Sequence, residues 1–544
     1  MGDRAGTAPL AFHARAAYAA SRGVTSALAP AMNDRRWHAA LTVVVVAAIV
    51  RLAFAALLPV FPDEAYYWDW SRRLAAGYFD HPPGIAIVIR IGSEIAAPFR
   101  ISSSAFGLRL GTGIAAFIAS LATIMSARHI AGSRASLRAA LVLATLPLSA
   151  AGLVLATPDV PVLAAEAVAL YCVVRALDSD VGSRASFAWW TATGVALGAA
   201  FASKYTSIFL PVGAVIAIVL RPSLRARFRE PGPYVACIVA TLVFLPVLRW
   251  NANHEWISFL YQVKHGLAAP EGSLLRAAWR HEGDFFGGQA GLITPILFVL
   301  IAISVWRALQ STSDDRRFVL AVVSLLTFAF FTYSAIRQRV EPNWPSPAYI
   351  PAIILVATHD WNRRGARWFT GGVVLAGIVS SVIYAQAITP ILPLPPARDP
   401  IARAFGWREL AASVVNEAEA ESAESGKATW LGGDRYQEAA ELAFWSRGQP
   451  TTFATNFAGR PNQYDLWPSF AALARPGDNL VLVLDETEEL HAALRALRPY
   501  FQSVNRGMSV PMMRRQGHIA SRRIWTLVGW RGGWPSVVPA AVSR

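Results

Sequence analysis

The chain has 544 residues, 54% of them hydrophobic and only 16% charged. A water-soluble globular protein carries nearer a quarter charged residues, so that class is excluded. The net charge of +15 is almost all arginine, the lysines being Lys204, Lys264 and Lys427. These arginines sit in short connections between apolar blocks, where they set orientation in a membrane. Nucleic acid is therefore excluded as the reason for the charge.

The apolar residues are gathered into blocks of roughly 17 to 22, enough to cross a hydrocarbon core as helix. The reading is a polytopic α-helical membrane protein. Residues 1–37 are rich in Ala, Arg and Ser without a long apolar run and are expected to form a disordered cytoplasmic tail. Spans are predicted at 38–60, 104–127, 136–156, 160–177, 187–203, 205–220, 232–250, 286–306, 317–335, 346–358 and 368–388, about eleven in all, with boundaries good to a few residues. Arg128, Arg134, Arg138, Arg175, Arg184, Arg221, Arg225, Arg227, Arg229, Arg307, Arg316, Arg317, Arg363, Arg364 and Arg367 fall in every second connection, which makes that side cytoplasmic. The other side holds the loops 61–103 and 251–285, the corners at 157–159 and 204–206, and the connection 336–345. The unusual polar motifs therefore gather on one outer face.

After a proline-rich linker at 391–400 the composition changes. Helical sequence at 409–424, 436–445 and 488–497 alternates with strand-like sequence at 479–484 and 523–528, as expected for a small α/β extracytoplasmic domain over 391–544. The membrane part is 38–390. Cys172 and Cys237 lie in apolar blocks and form neither a disulfide framework nor a metal pattern.

The loop 61–84 carries the densest set of chemistry-bearing residues. Asp63 and Glu64 follow Pro62 at the outer end of the first span, where acids also suit a helix start. The chemical reading is a general base, Asp63, taking a proton from an attacking hydroxyl, with Glu64 orienting it or sharing the work. Tyr66 and Tyr67 follow. Asp80 and His81 then open a second short helix through Pro82 and Pro83, Asp80 meeting substrate hydroxyls and His81 a phosphate. Asp159 sits at a hairpin where capping is the simpler role. Lys204, beside Tyr205, closes an apolar span and is placed to neutralise an anionic headgroup, though a lysine there also snorkels readily. Arg337 and Arg339, before Asn343, are the guanidinium candidates for a forked phosphate contact. Arg51 and Glu166, inside apolar blocks, are expected to make structural polar contacts within the bundle. His254, Glu255 and His265 are a loose candidate for a divalent cation and match no standard ligand spacing.

Phosphate-loop, dinucleotide and Ser/His/Asp signatures do not occur, and an outward site has no ATP. The driving force must arrive with a lipid-borne activated substrate. A transporter or flippase is the competing class; broken helices near the midplane would favour it.

The stretch from Asp63 to Trp68 resembles the acidic first-loop motif of the GT-C glycosyltransferases. It is most similar to the bacterial members related to protein O-mannosyltransferases and lipid A aminoarabinose transferases (family 39 type). Residues 78–83, 157–159, 203–205, 250–262 and 343–345 resemble further landmarks in the same order. Gly459-Arg460 and residues 463–467 resemble the tail domain of the bacterial branch. The resemblance implies a polyprenyl-phosphate-sugar donor and an inverting transfer to a hydroxyl of an envelope glycolipid or glycan, with lipid A preferred. A protein O-mannosyltransferase-like activity is the alternative. It implies that Asp63 is the base and that the multi-pass protein sits in a bacterial inner membrane with its site facing the periplasm. His81 stands where the aminoarabinose transferases have a lysine, and an imidazole is only partly protonated at neutral pH.

Overall fold

The computed structural model describes residues 10–266, 274–457, 459–486 and 491–535, and side chains within these except at 10–33 and 265–278. The membrane part runs α1 (Leu10–Leu57), α2 (Pro62–Arg72), α3 (Gly84–Ala96), α4 (Ala105–Thr145), α5 (Pro147–Gly152), α6 (Asp159–Leu177), α7 (Arg184–Phe201), α8 (Phe209–Leu220), α9 (Gly232–Asn253), α10 (Ile257–Gly266), α11 (Leu274–Ile293), α12 (Pro295–Gln310), α13 (Asp315–Arg337), α14 (Ser346–Thr358) and α15 (Arg363–Ile388). Among the described residues six helices are long and apolar enough to cross a membrane, or up to eight if each bent pair is one span. Outward-facing Val46, Ile49, Ile238, Leu242, Val374 and Ile378 are exposed, which places apolar surface where lipid would lie.

Several boundaries differ from the predicted ones for visible reasons. Helix α1 begins at Leu10, inside the stretch expected to be a disordered tail, because that stretch is rich in the strong helix formers Ala and Arg. Residues 1–9 lie outside the described residues. The block at 286–306 is broken at Thr294 (φ 68°) ahead of Pro295, and the helices on either side meet at 99°. Helix α14 has thirteen residues, all buried, so its apolar run serves the bundle core rather than a lipid crossing. Helix α4 kinks at Ala131 and Gly132, which separates two of the predicted spans.

The arginine-bearing connections meet at one end of the bundle. Arg138 donates to the His359 carbonyl (3.0 Å), Arg317 to the Thr358 carbonyl (2.9 Å), and Arg227 to the carbonyls of Leu177 (2.8 Å) and Ser179 (2.7 Å). Arg316 pairs with Asp178 (3.0 Å). The helix-end carbonyls left open by helix geometry are thereby satisfied by guanidinium groups.

Beyond the linker come α16 (Trp407–Ser425), β1 (Thr429–Gly433), α17 (Tyr436–Trp445), β2 (Thr452–Ala454), α18 (Phe470–Leu473), β3 (Asn479–Asp485), α19 (Ala492–Leu497), β4 (Phe501–Arg514) and β5 (Gly517–Trp530). The sheet order is β2-β1-β3-β5-β4, parallel over the first three strands and antiparallel thereafter. Strand β3 (NLVLVLD) is buried on both faces except at its last residue, as a central strand should be. Ala439, Ala440, Ala443 and Phe444 of α17 pack into one apolar cluster with Tyr66, Trp68 and Trp70 of α2. The sheet domain therefore sits directly on the first loop.

Candidate active site

Helix α2 starts at Pro62, whose missing N–H is lost at no expense there. Its first turn carries Asp63 and Glu64, and the helix turns them to different sides. Glu64 is 1% exposed. Its carboxylate accepts from Phe61 N (3.0 Å), Ala156 N (2.7 Å), Arg109 Nε (2.8 Å) and Arg109 Nη2 (2.5 Å). Arg109 gives its remaining hydrogens to the carbonyls of Ala55 (2.7 Å), Leu58 (2.8 Å) and Pro59 (2.8 Å). All five guanidinium donors and all four carboxylate acceptor positions are used, which is the condition for burying such a pair. Glu64 thus ties α2 to the end of α1, to α4 and to the corner before α6.

Asp63 is exposed and accepts the Tyr436 hydroxyl proton at 3.2 Å. It is nonetheless recessed among protein atoms. Desolvation pushes its pKa above the ordinary aspartate value, aided by Asp80 and opposed by Tyr436, Arg460 and Arg403. Asp80 is buried. It accepts the Tyr66 hydroxyl (2.6 Å) and Arg460 Nη1 (2.5 Å), and its carbonyl accepts Gln262 Nε2 (2.5 Å). The His81 ring lies 6.3 Å from the ring of Tyr67, with its Nδ1 3.5 Å from Gln262 Nε2.

A second knot lies beside the first. Lys204 Nζ donates to Asp159 Oδ1 (2.6 Å) and Asn343 Nδ2 donates to Asp159 Oδ2 (2.7 Å), all in a largely buried setting. Asp159 is therefore more than a cap. The two knots are joined at Gly84, whose N–H donates to the Ala202 carbonyl (2.7 Å). A Cβ at Gly84 would lie 2.7 Å from the Ser203 Cα, so the close approach requires glycine. Tyr205 stands apart, its hydroxyl donating to Ser258 (2.9 Å) and accepting from Asn251 (3.3 Å). Arg337 lies over Tyr333 of its own helix, and Arg339 pairs with Glu341 at 3.6 Å on an exposed rim.

The structure thus brings together Asp63, Tyr66, Tyr67, Asp80 and His81 in one group and Asp159, Lys204 and Asn343 in another. Among the described residues, Arg337 meets Tyr333, Arg339 meets Glu341, and Tyr205 meets Ser258 and Asn251. The sequence reading did not single out Arg109, Tyr436 or Gln262. Arg109 had a signal, being an ionisable residue within an apolar block. Tyr436 had none, lying 373 residues from its partner. No group of three or more His, Cys, Asp or Glu is placed to hold a metal among the described residues. The His265 side chain of the candidate cation set lies outside them. A cavity of about 590 Å³ opens beside the first knot, between Phe79, Tyr261 and Lys264 on one side and Trp467, Phe470 and Trp534 on the other.

A bundle of apolar helices, an acidic first loop and a sheet domain seated on it define a membrane glycosyltransferase of the GT-C type. Residues 80–250 match the family model described as dolichyl-phosphate-mannose-protein mannosyltransferase. The chain is 30% identical over 369 residues to the lipid A galacturonosyltransferase RgtD of Rhizobium johnstonii, covering 67% of this chain and 73% of that one. The chain belongs to the family 39 type of GT-C glycosyltransferases. Its fold is that of ArnT from Cupriavidus metallidurans. The apo form superposes with a TM-score of 0.59 at 17% identity, over 89% of this chain and 97% of that one. The form bound to undecaprenyl phosphate gives 0.60 at 17% identity, over 91% and 98%.

Proposed function

We propose that the protein moves a sugar from a polyprenyl-phosphate-sugar to a hydroxyl of lipid A, at the periplasmic face of a bacterial inner membrane. The lipid A acceptor and a uronic acid as the sugar to test first are drawn from the galacturonosyltransferase relative. The polyprenyl carrier is supported by family membership and by the undecaprenyl phosphate bound in an ArnT of the same fold.

The observation that carries the mechanism is the state of Asp63. Among the acids of the two knots it is the exposed one, while Glu64, Asp80 and Asp159 are buried and committed to cations or hydroxyls. A carboxylate with an open oxygen can remove the proton of the acceptor hydroxyl as that oxygen attacks the anomeric carbon. The bond from the anomeric carbon to the phosphate oxygen breaks, and the polyprenyl phosphate leaves with the electron pair. Lys204, Arg337 and His81 meet the charge of the leaving phosphate, and stabilising developing charge is commonly the largest catalytic contribution. One base and no covalent sugar intermediate give inversion at the anomeric carbon. Glu64 fixes the direction of α2 and so of Asp63.

The test is mass spectrometry of envelope lipids from cells lacking the gene, complemented with the native protein or with Asp63→Asn. Loss of one sugar-sized mass from lipid A in both the null and the variant is expected. An Asp63→Asn protein that is inserted, folded and fully active sinks the base assignment. An unchanged lipid A with an altered glycoprotein would move the acceptor to protein.

A further inference from the structure

The hydrogen bonds around Asp63 have directions that chemistry fixes, and this rests on Asp63 being the base. A phenol has one proton to give, and a guanidinium can only donate. Arg460 Nη2 lies 3.1 Å from the Tyr436 hydroxyl, so that contact is donated by Arg460. The Tyr436 proton is therefore left for Asp63 Oδ1, at 3.2 Å. The same reasoning holds one step back. Gln463 N donates to the Tyr66 hydroxyl (2.7 Å), which leaves the Tyr66 proton for Asp80 Oδ2 (2.6 Å). Asp80 Oδ1 then takes Arg460 Nη1 (2.5 Å). The result is a directed chain: Asp80 aims Arg460, Arg460 aims Tyr436, and Tyr436 holds Asp63.

Packing immobilises each member. The Tyr436 ring lies 4.4 Å from that of Tyr66, and the Arg460 guanidinium sits over the rings of Tyr436 (4.9 Å) and Tyr261 (5.5 Å). Asp63 and Asp80 come from the first outer loop. Tyr436 and Arg460 come from the sheet domain, from α17 and from the loop after β2.

We infer that Tyr436 is a positioning residue for Asp63, aimed by Arg460, so that the sheet domain completes the active site rather than merely covering it. With Oδ1 tied, Oδ2 of Asp63 is the atom presented to the acceptor hydroxyl. Holding a reacting group in one geometry removes orientational freedom that would otherwise have to be lost in the transition state. The charged and titratable groups that face Asp63 are Tyr436, Tyr67, Asp80, Glu441, Arg460 and Arg403. The donated hydrogen bond and the two arginines favour the ionised carboxylate; Asp80 and desolvation oppose it.

The experiment uses the full-length protein in lipid nanodiscs, with undecaprenyl-phosphate-linked galacturonic acid as donor and purified lipid A as acceptor. Initial rates are measured across the acid range for the native protein, Tyr436→Phe, Arg460→Gln and Arg460→Lys. For Tyr436→Phe, kcat is expected to fall between about 10- and 100-fold with donor KM within about twofold. The acid limb of the rate profile moves to higher pH, because the lost hydrogen bond had favoured ionised Asp63. Arg460→Gln moves the limb the same way, and Arg460→Lys, which keeps the charge, moves it less. A Tyr436→Phe protein with native kcat and an unmoved limb overturns the inference. So does one whose thermal midpoint and kcat fall while the limb stays in place, since that is damage to packing alone. If Tyr436→Phe does not accumulate folded, Arg460→Gln decides by the same criterion, a moved limb supporting the chain and an unmoved one overturning it. In every case Asp63→Asn reports separately on the base itself.

Discussion

On the side of α2 turned toward the membrane bundle, Glu64 accepts four hydrogen bonds and is sealed against Arg109. On the side turned toward the sheet domain, Asp63 accepts one, from Tyr436, and stays open. The two acids are adjacent in sequence and bear the same charge. What separates them is the helix, whose geometry points consecutive side chains about 100° apart around its axis. One face therefore anchors the loop to three other chain segments while the other presents a carboxylate. A saturated acid makes a poor base, because its lone pairs are already taken; an acid with a single long hydrogen bond and restricted solvation holds a proton more tightly and takes one more readily. The difference assigns anchoring to Glu64 and chemistry to Asp63.

The strongest way to break that comparison is to neutralise the open acid. Asp63→Asn keeps the size and the contact with Tyr436 and removes only the base, so transfer should fall by about 10² to 10⁴ with the thermal midpoint nearly unchanged. The pH profile carries the same information. A base acts deprotonated, and restricted solvation in its recess raises the Asp63 pKa. Activity should therefore be lost on acidification at a pH above the ordinary aspartate value of about 4. A limb at or below that value would show that Asp63 is better solvated than its surroundings indicate.

Neutralising the sealed acid should do the opposite. Glu64→Ala leaves the Arg109 guanidinium buried without a counter-charge, and breaking such a pair is destabilising by about 3–5 kcal/mol. The expected readout is a lower thermal midpoint and poor insertion rather than a selective loss of kcat. Glu64→Ala combined with Arg109→Met should recover part of the lost stability, since the uncompensated charge goes with its partner. Native stability in Glu64→Ala with a lost reaction would reverse the two roles.

These assignments also show where the sequence was informative. The apolar blocks predicted a helical membrane protein because the bilayer imposes its thickness on the chain. The alternation of Arg-rich connections corresponds to the guanidinium knots around Thr358, His359 and Asp178 at one end of the bundle. Strand β3 was legible because it is a short, wholly apolar run. Strands β1 and β4 were not. Strand β1 ends in two glycines, and β4 (FQSVNRGMSVPMMR) mixes polar residues, a glycine and a proline on an edge of the sheet, where Pro511 sits without breaking a central ladder. At the site, Asp63, Asp80, Asp159 and Lys204 stood out because charges beside a membrane are expensive unless used. That Lys204 pairs with Asp159, or that Tyr436 meets Asp63, depends on tertiary contacts that no local pattern encodes.

Lys204 sharpens the comparison from the second knot. Its Nζ is 2.6 Å from Asp159 and largely buried, yet the proposed reaction asks it to meet a phosphate as well. Lys204→Met should raise donor KM about tenfold and lower kcat, through loss of positive charge at the leaving group. Lys204→Arg should restore part of the charge without the same pairing geometry. A fall in thermal midpoint with donor KM unchanged would make the lysine an anchor of the Glu64 kind.

The smallest effect is expected at Arg339. Its pairing with Glu341 is 3.6 Å long, with the two side chains 72% and 50% exposed. An ion pair in that setting is screened by water and holds two long side chains at an entropic penalty, so Arg339→Ala should change stability by no more than about 0.5 kcal/mol. Donor KM should change less than about twofold for the same reason, because a phosphate at so open a position would be equally screened. Measuring both quantities at low and high ionic strength separates a weak steering charge from a contact. Steering would show as a salt-dependent rate with KM otherwise intact. A tenfold rise in KM that survives high salt would instead bring the donor phosphate to the Arg339 rim of the loop between α13 and α14, whose Asn343 already reaches the Lys204–Asp159 pair.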